Sequence, residues 1–201
     1  MVLFKFQKDK ELMEIVKKLP DNVKVTNEIL EILGNKTTKV EQDKDIKNSY
    51  YVYLKDTIYL ADNEKNNKGV ARICLISHEC KHSIQSKILQ KINFILSNLE
   101  LIYFVIACIL MIIFNSKIVL FSYIVLAVLS IIPRTILEID AVLSSVKIAN
   151  KYLNGKLSEE ETSKLVNAYK KSTSSMLPFF VFSLWLGKII RSVILIVMYV
   201  F

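Results

Sequence analysis

The sequence predicts a mainly α-helical chain with a small β element, partly soluble and partly built for lipid. Three observations carry that reading. Of 201 residues, 52% are hydrophobic and the mean hydropathy is +0.36, high for a protein that lives wholly in water. Only four glycines and three prolines are present, too few for the many tight turns of a sandwich or barrel. Two uncharged apolar runs, Leu101–Phe114 and Ile118–Pro133, stand almost back to back.

The elements follow in order. The start, "MVLFKFQKDKELMEIVKK", turns charged within a few residues and offers no continuous apolar core of a signal peptide, so the N-terminal part is expected to stay in the cytoplasm. "KDKELMEIVKKL" puts Leu12, Ile15, Val16 and Leu19 on one helical stripe, ended by Pro20. "TNEILEILG" predicts a short helix, with Thr26 or Asn27 as N-cap and Gly34 as the stop. "SYYVYLKDTIYLA" is aromatic and β-branched, a strand or a hairpin turning near Lys55–Asp56. A polar loop, "DNEKNNKG", leads into the helix "VARICLISHECKHSIQSKILQK".

Beyond it, the two apolar runs reach the roughly 17–25 residues needed to cross a bilayer once their flanks are included. A pair of buried core helices is the other reading, but a chain this small has little else to bury two helices that are apolar all round. A polar, helix-compatible stretch follows from Glu138 to about Ser175, with Ser158 and Glu161 spaced as a capping box. The last segment, Met176–Phe201, is apolar but carries Lys188 and Arg191 midway. It is either a span whose cations snorkel or face other helices, or an interfacial piece followed by a short buried one. The expected organisation is a cytoplasmic α+β part over 1–92, a transmembrane hairpin over 93–134, a helical part over 135–175 and a C-terminal membrane segment over 176–201.

The formal charge is +8, and many basic residues sit beside the apolar runs, among them Lys87, Lys91, Lys117 and Arg134. That is the pattern of membrane-span ends. No aromatic-basic interleaving or recognition motif accompanies it, so no nucleic-acid partner is expected. The cysteines, Cys74, Cys80 and Cys108, are three and dispersed, which fits a reducing compartment better than a disulfide framework.

The only two histidines, His78 and His82, stand at i and i+4 on the expected helix and emerge on one face a turn apart. Two imidazole nitrogens so placed can bind one zinc ion. Glu79 points elsewhere on the helix and can act as general base towards a water that the metal has made acidic. This is the HExxH pattern. Two histidines leave zinc short of a ligand. The extended motif with a third histidine is absent, Gln85 and Ile88 occupying its glycine and histidine positions. Candidate carboxylates are Glu100, Glu138 and the Glu159–Glu161 run. If both apolar runs cross the bilayer, the chain returns to its starting face just before Glu138, which makes Glu138 the expected third ligand. Glu100 would have to fold back on the motif helix, and the acidic run reads as a solvated helix N-terminus. Asp140 either orients a ligating histidine by accepting its other ring N–H or is a surface or capping residue. Tyr152, Tyr169, Arg134 and the strand tyrosines are all open as oxyanion stabilisers.

"HECKHSIQ", a hydrophobic hairpin, then "EIDA" at Glu138–Ala141 together resemble the bacterial membrane-bound neutral zinc metallopeptidases often called YugP-type, marked by a HExGHAIQ-like motif and an E-F-D-A-like segment. The resemblance covers roughly residues 25–200, and its motifs are specific while the rest is weak. It implies a zincin-like α+β catalytic unit fused to a transmembrane helical hairpin and a C-terminal apolar helix. It also implies one zinc ion per chain on His78, His82 and Glu138, with Glu79 as base. CAAX-prenyl and HtpX-like membrane proteases are similar in layout. Lys81 departs from the family's glycine, and the additional membrane segment with which members usually begin has no counterpart here.

The expectation is thus a multi-pass cell-membrane metallopeptidase with its site on the cytoplasmic face, acting on a peptide or protein substrate. The alternative is an inactive zinc-binding membrane module of adaptor or immunity type.

Overall fold

The computed structural model describes residues 9–62 and 69–200; residues 63–68 of the expected polar loop lie outside that range. The chain is mainly helical with one small sheet: α1 (Lys10–Lys17), α2 (Asn22–Ile32), β1 (Lys39–Asp43), β2 (Tyr50–Val52), a 3-10 turn (Tyr53–Lys55), β3 (Thr57–Ala61), α3 (Arg72–Ile84), α4 (Lys87–Phe114), α5 (Lys117–Leu153) and α6 (Glu159–Val200). It divides into two units. One comprises Met1–Gln85 with Asp140–Leu177, the other Ser86–Ile139 with Pro178–Phe201. Helices α5 and α6 each run unbroken from one unit into the other.

In the first unit, Asp9 caps α1 by accepting from the backbone N–H of Glu11 and Leu12 at 3.1 and 3.2 Å. The whole expected stripe of Leu12, Ile15, Val16 and Leu19 is buried. Helix α2 starts a turn earlier than its sequence suggested. Asp21 supplies the cap, accepting from Lys24 N at 2.9 Å, and Thr26 is already inside, its hydroxyl donating back to Asn22 O at 2.6 Å. The expected stop holds. Gly34 takes φ +71°, Asn35 N donates to Leu30 O and Gly34 N to Glu31 O, both at 2.9 Å, a Schellman ending.

The sheet has the order β1-β3-β2, with β1 parallel and β2 antiparallel to β3. Central β3 buries Thr57, Ile58, Leu60 and Ala61. The tyrosine-rich stretch is therefore a hairpin. Its turn closes on Asp56 in the left-handed region, φ 46°, which Asp adopts more readily than most residues. Strand β1 has no counterpart among the elements expected from the sequence. Lys39–Asp43 offers one apolar residue, Val40, and sits at a sheet edge, where charge discourages pairing with other chains.

Helix α3 buries Arg72, Ile73, Ile76, Ser77, Cys80 and Ser83. The Arg72 guanidinium donates to the carbonyls of Val16, Leu19 and Pro20 and to Asn22 Oδ1 at 2.7–3.1 Å, so it ties the motif helix to the α1–α2 corner. The core is completed by Ala149, Tyr152 and Leu153 of α5 and Leu165, Val166 and Tyr169 of α6. The Ser158 capping box forms as expected, with Ser158 N donating to Glu161 Oε2 at 3.2 Å and Glu161 N to Ser158 Oγ at 3.3 Å.

In the second unit, α4, α5 and α6 are long and apolar enough to cross a membrane. Their small core holds Ala107, Met111, Tyr123, Ala127 and Leu195, while large apolar side chains such as Ile112, Phe114 and Ile118 face outwards. Helices apolar all round are what lipid favours. Lys188 and Arg191 do not interrupt α6. Both donate to Glu100 of α4, Lys188 Nζ at 2.8 Å and Arg191 Nε and Nη2 at 3.0 Å each, and the Tyr123 hydroxyl of α5 joins them.

Candidate metal centre

His78 and His82 lie on the α3 face that remains only partly buried. Their Nε2 atoms are 3.0 Å apart and their rings meet edge to face, centroids 4.6 Å apart and planes at 89°. Glu138 stands two residues before Asp140 on the unbroken α5. One ligand atom from each of His78, His82 and Glu138 lies within 4.8 Å of the others. Two imidazoles and one carboxylate are a donor set of the kind that binds zinc.

Three of the other candidate carboxylates are engaged elsewhere. Glu100 is 1% exposed and belongs to the Lys188–Arg191 cluster. Glu160 pairs with Lys164 at 2.8 Å, and Glu161 pairs with Lys18 and closes its own capping box. Cys80 is fully buried with its Sγ 3.9 Å from Thr26 O. Burial pushes its thiol pKa up, which keeps it protonated and unsuited to ligate metal.

Glu79 lies outside the three-residue cluster. Its Oε2 accepts the backbone N–H of Tyr51 on β2 at 2.9 Å. Strand β2 is a sheet edge, so that N–H is turned away from β3 and towards α3. The same carboxylate borders a cavity of about 150 Å³ lined also by Asn22, Asn48, Ser49, Arg72, Leu75 and Ile76. The Tyr51 hydroxyl donates to Asp56 at 2.8 Å, and burial with that bond raises its pKa, so the phenol stays neutral. Of the open oxyanion candidates, Tyr152 donates to Glu28 at 3.0 Å and Tyr169 to Val70 O at 2.8 Å; both are buried.

Around the cluster, Asp140 and a residue that the sequence left unassigned act together. His82 Nδ1 lies 2.8 Å from Gln85 Oε1, and Gln85 Nε2 donates to Asp140 Oδ2 at 2.8 Å. Gln85 thus stands between the aspartate and the ring that, on one of its two readings, Asp140 would reach itself. Lys81 pairs with Asp140 at 3.2 Å. The signal for Gln85 was its place three residues after His82, but it emerges only because the helix ends at Ile84 where the sequence suggested it would continue to Lys91.

No protein-family model, curated protein or solved structure matches this chain.

Proposed function

We propose that the chain is a membrane-embedded zinc hydrolase, and within that class a metallopeptidase of the kind its HECKHSIQ and EIDA segments resemble. The observation that carries the reading is the convergence of His78, His82 and Glu138 beside a glutamate, Glu79, that is not in the ligand set. Zinc held by the three ligands would supply a Lewis acid that makes water nucleophilic at neutral pH. Glu79 would be the general base that takes the proton. Its hold on the Tyr51 amide keeps the carboxylate on that side of α3.

The edge strand β2 and the cavity beside Glu79 support a peptide as substrate, because an extended segment can pair with an open strand edge. Three helices fit to cross a membrane support a multi-pass location in the cell membrane. The site is assigned to the cytoplasmic face on charge. Lys87 and Lys91 open α4 on the side of the motif, whereas the turn between α4 and α5 offers only Lys117.

Metal analysis of detergent-purified protein, paired with a peptide-hydrolysis assay, tests the proposal. The wild type is expected to carry one zinc per chain. Glu79→Gln should keep the metal and lose at least 100-fold in hydrolysis, on the scale of a lost general base (about 10²–10⁴-fold). Glu138→Gln should lose or weaken the metal. Zinc absent from the wild type rejects the centre. Zinc kept in all three with no hydrolysis by any moves the reading to an inactive zinc-binding module.

A further inference from the structure

Helix α3 ends at Ile84, and Gln85 leaves it with an extended backbone, φ −71° and ψ 163°. The break swings the Gln85 side chain back over the last turn, where it is 6% exposed and touches His82 on one side and Asp140 on the other. The chemistry of the four groups fixes the direction of every bond. A carboxylate at neutral pH only accepts, so Gln85 must present its NH₂ to Asp140 and its oxygen to His82. An amide oxygen also only accepts, so the proton of a neutral His82 lies on Nδ1. One ring proton on Nδ1 leaves the lone pair on Nε2, and Nε2 is the atom facing His78 Nε2 at 3.0 Å.

Asp140 is itself held. Lys81 Nζ lies 3.2 Å from its Oδ2, and Ser144 Oγ donates to its Oδ1 at 3.2 Å. Both carboxylate oxygens are therefore anchored, and the Gln85 amide has no reason to flip. Lys81 supplies part of the anchor.

We propose that Gln85 is a positioning residue that locks His82 as the Nδ1–H tautomer, its Nε2 lone pair turned towards His78, and that Asp140, clamped by Lys81 and Ser144, holds Gln85 in that orientation. The proposal rests on the reading of this site as a zinc centre. It adds that the ligand is prepared before metal arrives. An imidazole free in water favours the proton on the other nitrogen, and the hydrogen bond at one nitrogen decides which stays open to a metal.

The chain has two histidines, so ¹⁵N-histidine labelling of the full-length protein in micelles gives four ring-nitrogen signals, with His78→Gln assigning them. In metal-free wild type at pH 8, His82 is expected to show a protonated Nδ1 and a bare Nε2. Gln85→Leu should move the proton largely to Nε2 and weaken zinc about 10–100-fold in a chelator competition, the scale for losing such a partner. Asp140→Ala, which leaves Gln85 in place but free to turn, should give a mixture of tautomers and a smaller loss. Wild-type His82 protonated on Nε2, or a tautomer unmoved in both Gln85→Leu and Asp140→Ala, overturns the proposal. Should Gln85→Leu fail to fold, the wild-type spectrum and Asp140→Ala decide it. A wild type that shows the Nδ1–H tautomer yet binds no zinc upholds the relay and rejects the zinc reading, so the two fail separately.

Discussion

At the scale of single residues, the motif was legible and its support was not. His78, Glu79 and His82 could be placed because an i, i+4 pair needs only a helix to share a face. Gln85 could not, because its role depends on α3 breaking at Ile84, and the sequence there carries no glycine or proline to announce the break. A surface cluster makes the same point and offers a pH test. Glu28 accepts from Lys156 Nζ and from the Tyr152 hydroxyl, each at 3.0 Å, partners 124 and 128 residues away along the chain. The bond from Lys156 is the main cause holding its carboxyl below the ordinary range, and that from Tyr152 adds to it, against a smaller upward push from burial. A carboxylate whose folded pKa is depressed stabilises the fold above its unfolded value, 4.5, and that contribution fades as pH falls through the folded value. Glu28→Gln should therefore melt earlier than wild type at pH 7, by no more than about 1 kcal/mol for so exposed a pair. The gap should close in scans below pH 4. A gap that persists unchanged at pH 3 would show that the ionised form is not what matters.

At the scale of elements, helices with an apolar stripe were readable, while ends and edges obeyed local chemistry that the stripe does not report. Helix α2 began at Asn22 because Asp21 captured Lys24 N. Strand β1 was invisible because an edge strand needs little hydrophobicity. Pro133, which closed the second apolar run in the sequence, sits inside α5, and Pro178 sits inside α6; the rest of each long helix outweighs the one hydrogen bond a proline forfeits. The β2–β3 hairpin shows how an element is held by its turn. Asp56 takes a left-handed backbone and accepts from Thr37 at 3.0 Å, Thr38 at 2.9 Å and the Tyr51 hydroxyl at 2.8 Å. Asp56→Gly relieves the backbone but removes the acceptor the three hydroxyls share, whereas Asp56→Ala removes it and strains the turn. Thermal unfolding should rank wild type above Asp56→Gly above Asp56→Ala, the last losing about 2–3 kcal/mol. Because Tyr51 also positions Glu79, both variants should lose hydrolysis beyond what their melting explains. Three indistinguishable melts would show that the hub contributes nothing to the hairpin.

At the scale of the whole molecule, the distribution of charge through the apolar helices is what composition could not resolve. Lys188 and Arg191 looked like an obstacle to a third span, because the sequence does not say what they face. They face Glu100, 1% exposed on α4, with Lys188 11% and Arg191 25% exposed in their side chains and with Tyr123 of α5 bonded to the same carboxylate. Each of the three helices thus contributes polar atoms that are costly in lipid alone and satisfied only when the three assemble. The arrangement holds two cations against one carboxylate, so removing the carboxylate is the severe change. Glu100→Gln leaves both cations without a counter-charge, an effect of about 3–5 kcal/mol for a broken buried pair. It should show as a large drop in melting temperature in detergent. Replacing all three charges together, Glu100→Leu with Lys188→Leu and Arg191→Leu, should recover part of that loss, since an apolar triad leaves no charge unpaired and only the Tyr123 hydroxyl without its acceptor. The zinc content of the triple variant should equal that of wild type, because none of the three side chains belongs to the His78–His82–Glu138 cluster. A Glu100→Gln protein that melts with wild type would mean the cluster is solvated rather than enclosed. The third helix would then owe its place to apolar packing alone.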